Sequence, residues 1–524
     1  MVRTKFYGAL VGLILIVALW SWYWPPALWV GLVLLPVAAV GLYDIRSRHN
    51  VLKNYPVIGH LRYMLEFIRP ELRQYFLESD TSGRPFNRVQ RDIINGRADG
   101  KGDTSPFGTI RDMEGSGYDF AEHSLAVKTV DQSEARVQFG GPQCRQPYYA
   151  SRLNISAMSF GSLSGRAILA MNRGAKLGGF AQNTGEGGLS PYHLEYGADV
   201  IWELGTAYFG CRTKGGRFDA EEFAKKANYK RIKMIEIKLS QGAKPSHGGL
   251  LPGSKVSEEI ARVREIEVGQ DSFSPPTHPE FDTPIGLLEF VQRLRELTHG
   301  KPVGFKLCLG KRSEFMGICK AMLNTGILPD FITVDGAEGG TGAAPVEFSD
   351  YLGTYINEAL PFVHNCLRGV GVRDDMRLIA SGKVALGFDM VVKHALGADA
   401  CNAARPFMFS VGCIQAQRCH TNNCPTGVTT QDPRRSRAID IDAKSVRVKN
   451  FHHATVKTFL EITGALGCQT PDELAPDMIF HRSKFGPAQT HAQLYPQLND
   501  GQLLGDDIPD YYREEWLKAS GERF

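Results

Sequence analysis

The sequence of 524 residues predicts an α/β protein, a (β/α)8 TIM barrel, with an N-terminal transmembrane helical hairpin. Two observations predict it. Between Leu153 and Ala404, eight short apolar runs alternate with helix-like stretches. Ahead of them, the run from Phe6 to Tyr43 holds no charged residue and is interrupted by Pro25-Pro26. The expected organisation is a membrane hairpin over 1–50, a connector or cap over 51–150, the barrel over 151–430 and a helical tail over 431–524.

The hairpin comes first. As a single helix, 6–43 would be about 57 Å long, roughly twice the ~30 Å hydrocarbon core. Broken at the prolines it gives two spans, 6–23 and 27–43, each about 25–27 Å. Trp20, Trp22, Tyr23, Trp24 and Trp29 crowd the break, as an interfacial aromatic belt does. Arg3 and Lys5 precede the first span, and Arg46, Arg48 and Lys53 follow the second. The positive-inside rule then places both ends in the cytoplasm, with the barrel on the cytoplasmic face of the inner membrane. A cleaved signal peptide shares the basic start and apolar run. Here no small-residue cleavage site follows the first span, and a second span does.

Residues 54–150 are charged and turn-rich, with the loop-like GRADGKGDTSPFG (96–108) and one helix-like piece, RPELRQYFLES (69–79). Either a cap or a simple connector fits this composition.

The barrel strands are expected at 153–157, 179–182, 200–204, 232–239, 303–309, 331–334, 378–380 and 398–402, that at 200–204 being the weakest. Amphipathic segments at 164–177, 285–298, 314–324 and 388–396 separate several of them. An open doubly wound sheet is the alternative, but no G-x-G-x-x-G follows the first strand. In a barrel the chemistry belongs to loops at the strand C-termini. Those loops read SAMSFG, NTGEGG, QGAK, DGAEGGTG and SGK, the third running into a long insertion containing SPPTHPEFD. Glycine lets a backbone approach a flat or phosphorylated ligand closely and presents N–H groups to anions. One such loop is an ordinary turn; their repetition at one end of the strands indicates a ligand site.

Composition narrows the function. A net charge of +4 is small for this length and leaves no nucleic-acid footprint. Of ten cysteines, seven lie scattered in apolar or strand-like contexts, which suits a reducing compartment rather than a disulfide framework. The other three, Cys413, Cys419 and Cys424, sit in GCIQAQRCHTNNCPTG at C-x5-C-x4-C spacing. Structural zinc takes four protein ligands, and a disulfide set leaves an odd thiol. An iron–sulfur cluster of the three-iron kind fits the spacing best, with buried or zinc-bound cysteines as the rival reading.

The stretches ISAMSFGSLS, NTGEGG, QGAKPSHGGLLPG, GGTGAAP and CHTNNCPTGVTTQ together resemble the synthase domain of glutamate synthase. The resemblance covers 153–466. It implies FMN in the barrel and a [3Fe-4S] cluster on Cys413, Cys419 and Cys424. It further implies flavin near Ala157, Met158, Ser159 and Lys306. Its phosphate is expected near Ser381, Gly382, Lys383 and Ala403, Ala404, Arg405. The implied reaction passes electrons from cluster to flavin and a hydride to 2-iminoglutarate, made from 2-oxoglutarate and ammonia.

The physical demands of that reaction are met by residue types already noted. Lys238 and Lys244, at a strand end, supply cations for a dicarboxylate. Glu186 in the glycine-rich loop suits a proton shuttle. Lys306, inside an apolar run, is costly to bury without a role and suits charge stabilisation. Surface salt bridges are the bland alternative for Lys244 and Glu186.

Three departures from the family stand out. No amidotransferase region or N-terminal nucleophilic cysteine is expected, so ammonia is free or delivered. The family segment GAKPGEGGQ reads GAKPSHGGL here, placing His247 and Leu250 beside the substrate region. The hairpin suggests a quinone or membrane-bound electron partner, and with no NAD-binding region expected, electrons come from another protein. The leading expectation is reductive amination of a 2-oxo acid. The alternatives are a membrane-linked amine or amino-acid dehydrogenase and a non-catalytic electron-transfer subunit.

Overall fold

A computed structural model describes residues 2–524, and the chain divides into two compact units, Met1–Arg88 and Val89–Phe524. In the first unit, α1 (Val2–Tyr23) and α2 (Leu28–Arg46) are joined by a single 3-10 turn, Pro25–Ala27. The break falls at the paired prolines because neither supplies the N–H an α-helix needs there. Both helices are long and apolar enough to cross a membrane, and their side chains are largely exposed. They meet where Phe6 lies on Gly41, a position whose Cβ would come within 2.1 Å of the Phe6 ring. The buried Asp44, in the last turn of α2, accepts from the Val57 N–H at 2.9 Å and pairs with His60 Nε2 at 2.8 Å.

The helix expected at 69–79 proves longer at its start. It runs Gly59–Leu72 and passes into a π turn, Arg73–Leu77, just after Pro70. Leu61, Leu65, Ile68 and Leu72 follow a helical period that the abundant charges of this region obscure.

In the second unit eight parallel strands close into a ring: β1 (Leu153–Ile155), β2 (Ala181–Asn183), β3 (Asp199–Leu204), β4 (Ile232–Lys238), β5 (Val303–Leu307), β6 (Phe331–Asp335), β7 (Arg377–Ser381) and β8 (Ala400–Ala403). All eight runs predicted as strands are strands, each within about three residues of its expected ends. The ring closes through β8 on β1, with Cys401 opposite Leu153. The expected amphipathic segments are α3 (Gly165–Gly178), α5 (Pro284–Leu297), α6 (Arg312–Thr325) and α8 (Gly387–Ala395). The structure adds α4 (Ala220–Ala227), α7 (Ile356–Gly369) and α9 (Ile441–Ala465). α3 begins at a Ser164 cap that accepts from the Ala167 N–H and stops at Gly179 in the left-handed conformation.

Two segments outside the ring complete it. A hairpin of Arg136–Phe139 and Tyr148–Ser151 plugs the strand N-terminal end, with Phe139 edge-on to Phe331 at 6.0 Å. α9 packs along α3, where Gly174 admits Val448; an added Cβ would meet that side chain at 2.5 Å.

Candidate functional site

The interior of the barrel changes character along its axis, and the strand sequences carry the change. Side chains two residues apart share a face. Ala181, Ile201, Met234, Phe331, Ile379 and Ala400 form an apolar floor with the plugging hairpin. Two residues further along the same strands stand Asn183, Glu203, Glu236, Thr333, Ser381 and Asn402. Two further again, on the longer strands, are Lys238 and Asp335.

In the middle level, Lys306 of β5 is buried against Glu203, to which its Nζ donates, with Glu236 Oε2 at 3.9 Å. Asn183 Nδ2 and Thr333 Oγ1 donate to the two oxygens of Glu236 at 2.8 and 2.6 Å. Burial disfavours the Lys306 ammonium, but Glu203 and Glu236 outweigh it and raise its pKa. Burial raises the Glu236 carboxyl despite Lys306, and Glu203 adds to the rise. Lys306 therefore lies in the middle of the barrel, already paired.

Above this level, Lys238 Nζ meets Glu186 Oε1 at 2.8 Å and Gln241 Oε1 at 3.1 Å. Burial alone would raise Glu186, but Lys238, Lys244 and Arg264 overcome it and hold the carboxyl at about 2. Burial pulls Lys244 down to about 8, against the attraction of Glu186 and with the repulsion of Lys238. Arg264 is buried too, its Nη2 donating to Phe160 O at 3.1 Å while Nε has no partner. Its guanidinium stays protonated at neutral pH. The three cations and one carboxylate leave an excess of two positive charges. A small cleft opens over Glu186 and Lys238, walled by Thr206, Ser240, His247 and Gly249. A Cβ at Gly249 would sit 2.7 Å from Glu186 Oε1 and push that carboxylate aside.

Behind Lys238, His278 Nε2 donates to the Lys238 carbonyl at 2.9 Å and Nδ1 accepts from Tyr208 Oη at 2.8 Å. Burial lowers His278 to about 4, so it is neutral and fixed in one tautomer. His247 packs edge-on to Phe348 at 5.1 Å. Leu250 is half-buried in a short strand, Leu250–Leu251, that pairs with Ser272–Phe273.

Sequence reasoning missed Arg264 and the Tyr208–His278 pair. Arg264 closes a short helix, Glu258–Arg264, within the long insertion, where its neighbours read as ordinary surface charge. Its burial depends on the β1 loop reaching it, a contact across about a hundred residues.

The residues expected to hold a flavin line the same end of the barrel. The loop of Ala157, Met158 and Ser159 lies under Gly185, whose Cβ would come within 2.7 Å of the Ser159 nitrogen. Ser381 Oγ is 3.5 Å from Ser156 Oγ. Gly382 follows, then Lys383 in the left-handed conformation. Ala403 and Ala404 lead into Arg405, whose Nη2 donates to the Glu338 carbonyl at 2.9 Å. Asn402 Oδ1 and Glu338 Oε1 are buried beside these loops without hydrogen-bond partners. Orphaned acceptors at such a mouth fit a ligand that carries donors of its own.

Cys413, Cys419 and Cys424 share one loop, folded by left-handed Gln415, Gln417 and Asn422. The Gln415 N–H donates to Cys413 Sγ at 3.4 Å, and Thr426 Oγ1 is 3.5 Å from Cys424 Sγ. Burial raises Cys413 to about 12 and also raises Cys419. Hydrogen bonds from Thr426 and Thr429 outweigh burial at Cys424 and lower it to about 7. Lys255, buried, donates to Ser162 O and Cys419 O at 3.0 and 3.1 Å. Three thiols with N–H, hydroxyl and ammonium groups around them fit the donor set of an iron–sulfur cluster. The loop joins the barrel mouth through Gln431, which donates to Gly161 O and Leu163 O.

A closed (β/α)8 barrel whose mouth gathers glycine-rich loops, buried cations and a three-thiol loop defines a class of redox enzyme. The model of the conserved region in glutamate synthase matches residues 122–469, and the chain belongs to this family of oxidoreductases. It is similar to the glutamate synthase large subunit-like protein YerD of Bacillus subtilis, 38% identical over 87% of this chain and 95% of that one. An archaeal glutamate synthase [NADPH] of Methanocaldococcus jannaschii is 32% identical over 68% of this chain and 66% of its own length. The glutamate synthase [NADPH] large chain of B. subtilis is 32% identical, but only 23% of its length is spanned. Among solved structures, a mandelate oxidase bound to (S)-4-hydroxymandelic acid aligns with a TM-score of 0.42 at 14% identity. That alignment covers 73% of this chain and 94% of that one.

Proposed function

We propose that the chain reductively aminates a 2-oxo dicarboxylic acid, 2-oxoglutarate being the leading substrate, with FMN at the barrel mouth and a [3Fe-4S] cluster on Cys413, Cys419 and Cys424. The observation that carries this is the charge of the Glu186 pocket. Lys238, Lys244 and Arg264 exceed Glu186 by two positive charges in a buried space, and a dicarboxylate dianion is the complement.

Ala157, Met158, Ser159 and the loops 381–383 and 403–405 would hold the FMN, which supplies a hydride when bound. Lys244 and Arg264, buried beside Glu186, supply the positive field that attracts the substrate carboxylates, and Lys238 steadies Glu186 against the carbonyl end. Glu186, ionised at neutral pH, takes a proton from the attacking amine and returns it to the departing hydroxyl, so imine and water form without net acid. The Tyr208–His278 pair fixes the strand end that carries Lys238. Lys306, paired with Glu203 and Glu236, forms a buried polar layer under the reacting space.

α1 and α2 are proposed to span the inner membrane, with the barrel unit in the cytoplasm and electrons arriving from a protein or quinone partner. In this reading residues 1–50 are the anchor and 151–430 carry the cofactors. Residues 51–150 are the connector or cap, and 431–524 the C-terminal helical tail. A washed membrane fraction tests the anchor: the full chain stays with the pellet in alkaline carbonate, and release into the supernatant would refute it.

Activity is tested on the detergent-purified full chain with 2-oxoglutarate, ammonium and a reduced viologen dye. Glutamate formation with bound FMN and about three irons per chain is expected. Absence of flavin and iron would sink the reading. His247 in the pocket wall favours one other reading, an amine or amino-acid dehydrogenase. Oxidation of an amine to an artificial acceptor, without glutamate formation, would select it.

A further inference from the structure

Away from the barrel mouth, a small antiparallel sheet joins Asp119–Ala121 to Ile479–His481 and then to Gln489–Thr490. Phe120 and Phe480 stack at 5.3 Å on one face of it. Strand alternation puts the neighbouring pair, Asp119 and His481, on the other face as direct cross-strand partners. His491 joins them from the first residue of a short helix, whose entry is fixed by a capping box between Thr490 and Gln493. Backbone register, rather than side-chain flexibility, therefore sets all three positions.

The three side chains converge on one point. Asp119 Oδ1 lies 2.7 Å from His481 Nδ1 and 3.2 Å from His491 Nε2, and the three atoms are all within 4.8 Å of one another. Metal–nitrogen and metal–oxygen bonds of about 2.0–2.1 Å give tetrahedral edges of about 3.3 Å, so a small opening of this cluster accommodates a metal ion. His491 is buried and its Nδ1 has no partner, so what its Nε2 faces holds the ring in place. None of the three residues falls within the stretch, 122–469, that matches the family model.

The geometry points to a metal site formed by Asp119, His481 and His491, taking zinc or a similar borderline divalent transition ion with water in the fourth position. Two imidazoles and one carboxylate are the donor set for such an ion, whereas magnesium and calcium require six or more oxygens. The ion would clasp chain segments more than 350 residues apart, outside the family region on either side. The rival is a proton-sharing His–Asp–His cluster that binds no metal.

The test uses the full-length protein in detergent, stripped with chelator and dialysed against micromolar free zinc. Elemental analysis gives zinc and iron separately, and X-ray absorption at the zinc edge reads the ligand shell free of flavin and iron signals. One zinc per chain in a nitrogen and oxygen shell is expected. His481→Gln and Asp119→Asn should weaken zinc binding at least tenfold with iron content unchanged. His481 is partly exposed, so its replacement is the milder change. Zinc-free wild-type protein, sulfur in the zinc shell, or undiminished zinc in both variants would overturn the assignment.

Discussion

Glu186→Gln separates substrate binding from proton transfer. In the wild type, the Glu186 carboxyl sits at about 2 because Lys238, Lys244 and Arg264 overcome the cost of burying it. Against an ordinary glutamate near 4.3, that is about 3 kcal/mol of net attraction. A depressed carboxylate stabilises the fold above its unfolded value and ceases to do so as pH falls through its folded one. The variant should therefore be less stable than wild type by about 3 kcal/mol at pH 7, with the gap closing from about pH 5 to about pH 2. The pocket would meanwhile gain a positive charge, which does not weaken a dianion. The expected kinetics are a KM for 2-oxoglutarate that is unchanged or lower and a kcat reduced by about 10²–10⁴. Steady-state assays with a saturating reduced dye, beside denaturant melts at pH 7 and pH 3, read both effects. An unchanged kcat, or a tenfold higher KM at full kcat, would refute the role given to Glu186.

Lys244, lowered to about 8 by burial, is a cation only below that pH, so KM for the dicarboxylate should rise as pH passes through about 8. In Lys244→Arg the rise should vanish, because guanidinium does not titrate there; identical pH profiles would exclude Lys244 as a substrate cation. Lys306→Met leaves Glu203 and Glu236 facing each other in the barrel centre and should cost about 3–5 kcal/mol in denaturant melts. Adding Glu203→Gln should recover part of that loss, and no recovery would show that the pair is not coupled. Cys419→Ser should remove most of the iron while far-ultraviolet circular dichroism keeps the barrel signal, and full iron retention would assign the cluster elsewhere.

Much of the site was legible because its information is local. A strand end followed by a glycine-rich loop is a contiguous pattern, so Glu186, Lys238 and Lys244 were read as one pocket, and the structure brings them together. Three thiols within one loop are equally local. Other features depend on chain segments far apart. Lys306 was read as a flavin contact, but its pairing with Glu203 and Glu236 joins three strands. The plug over the barrel floor came from a stretch whose composition fitted either a cap or a simple connector.

By itself the sequence determined the order of elements, the strand ends that bear chemistry and the apolar length of the N-terminal helices. Each is written in a period of two, a period of 3.6 or a single run of residues. Only the tertiary structure decided how charges balance: Arg264 buried beside Glu186, the paired lysine beneath it, and Asp119 meeting His481 and His491. Burial and Coulomb energy depend on distances between segments hundreds of residues apart, and closing the barrel sets those distances.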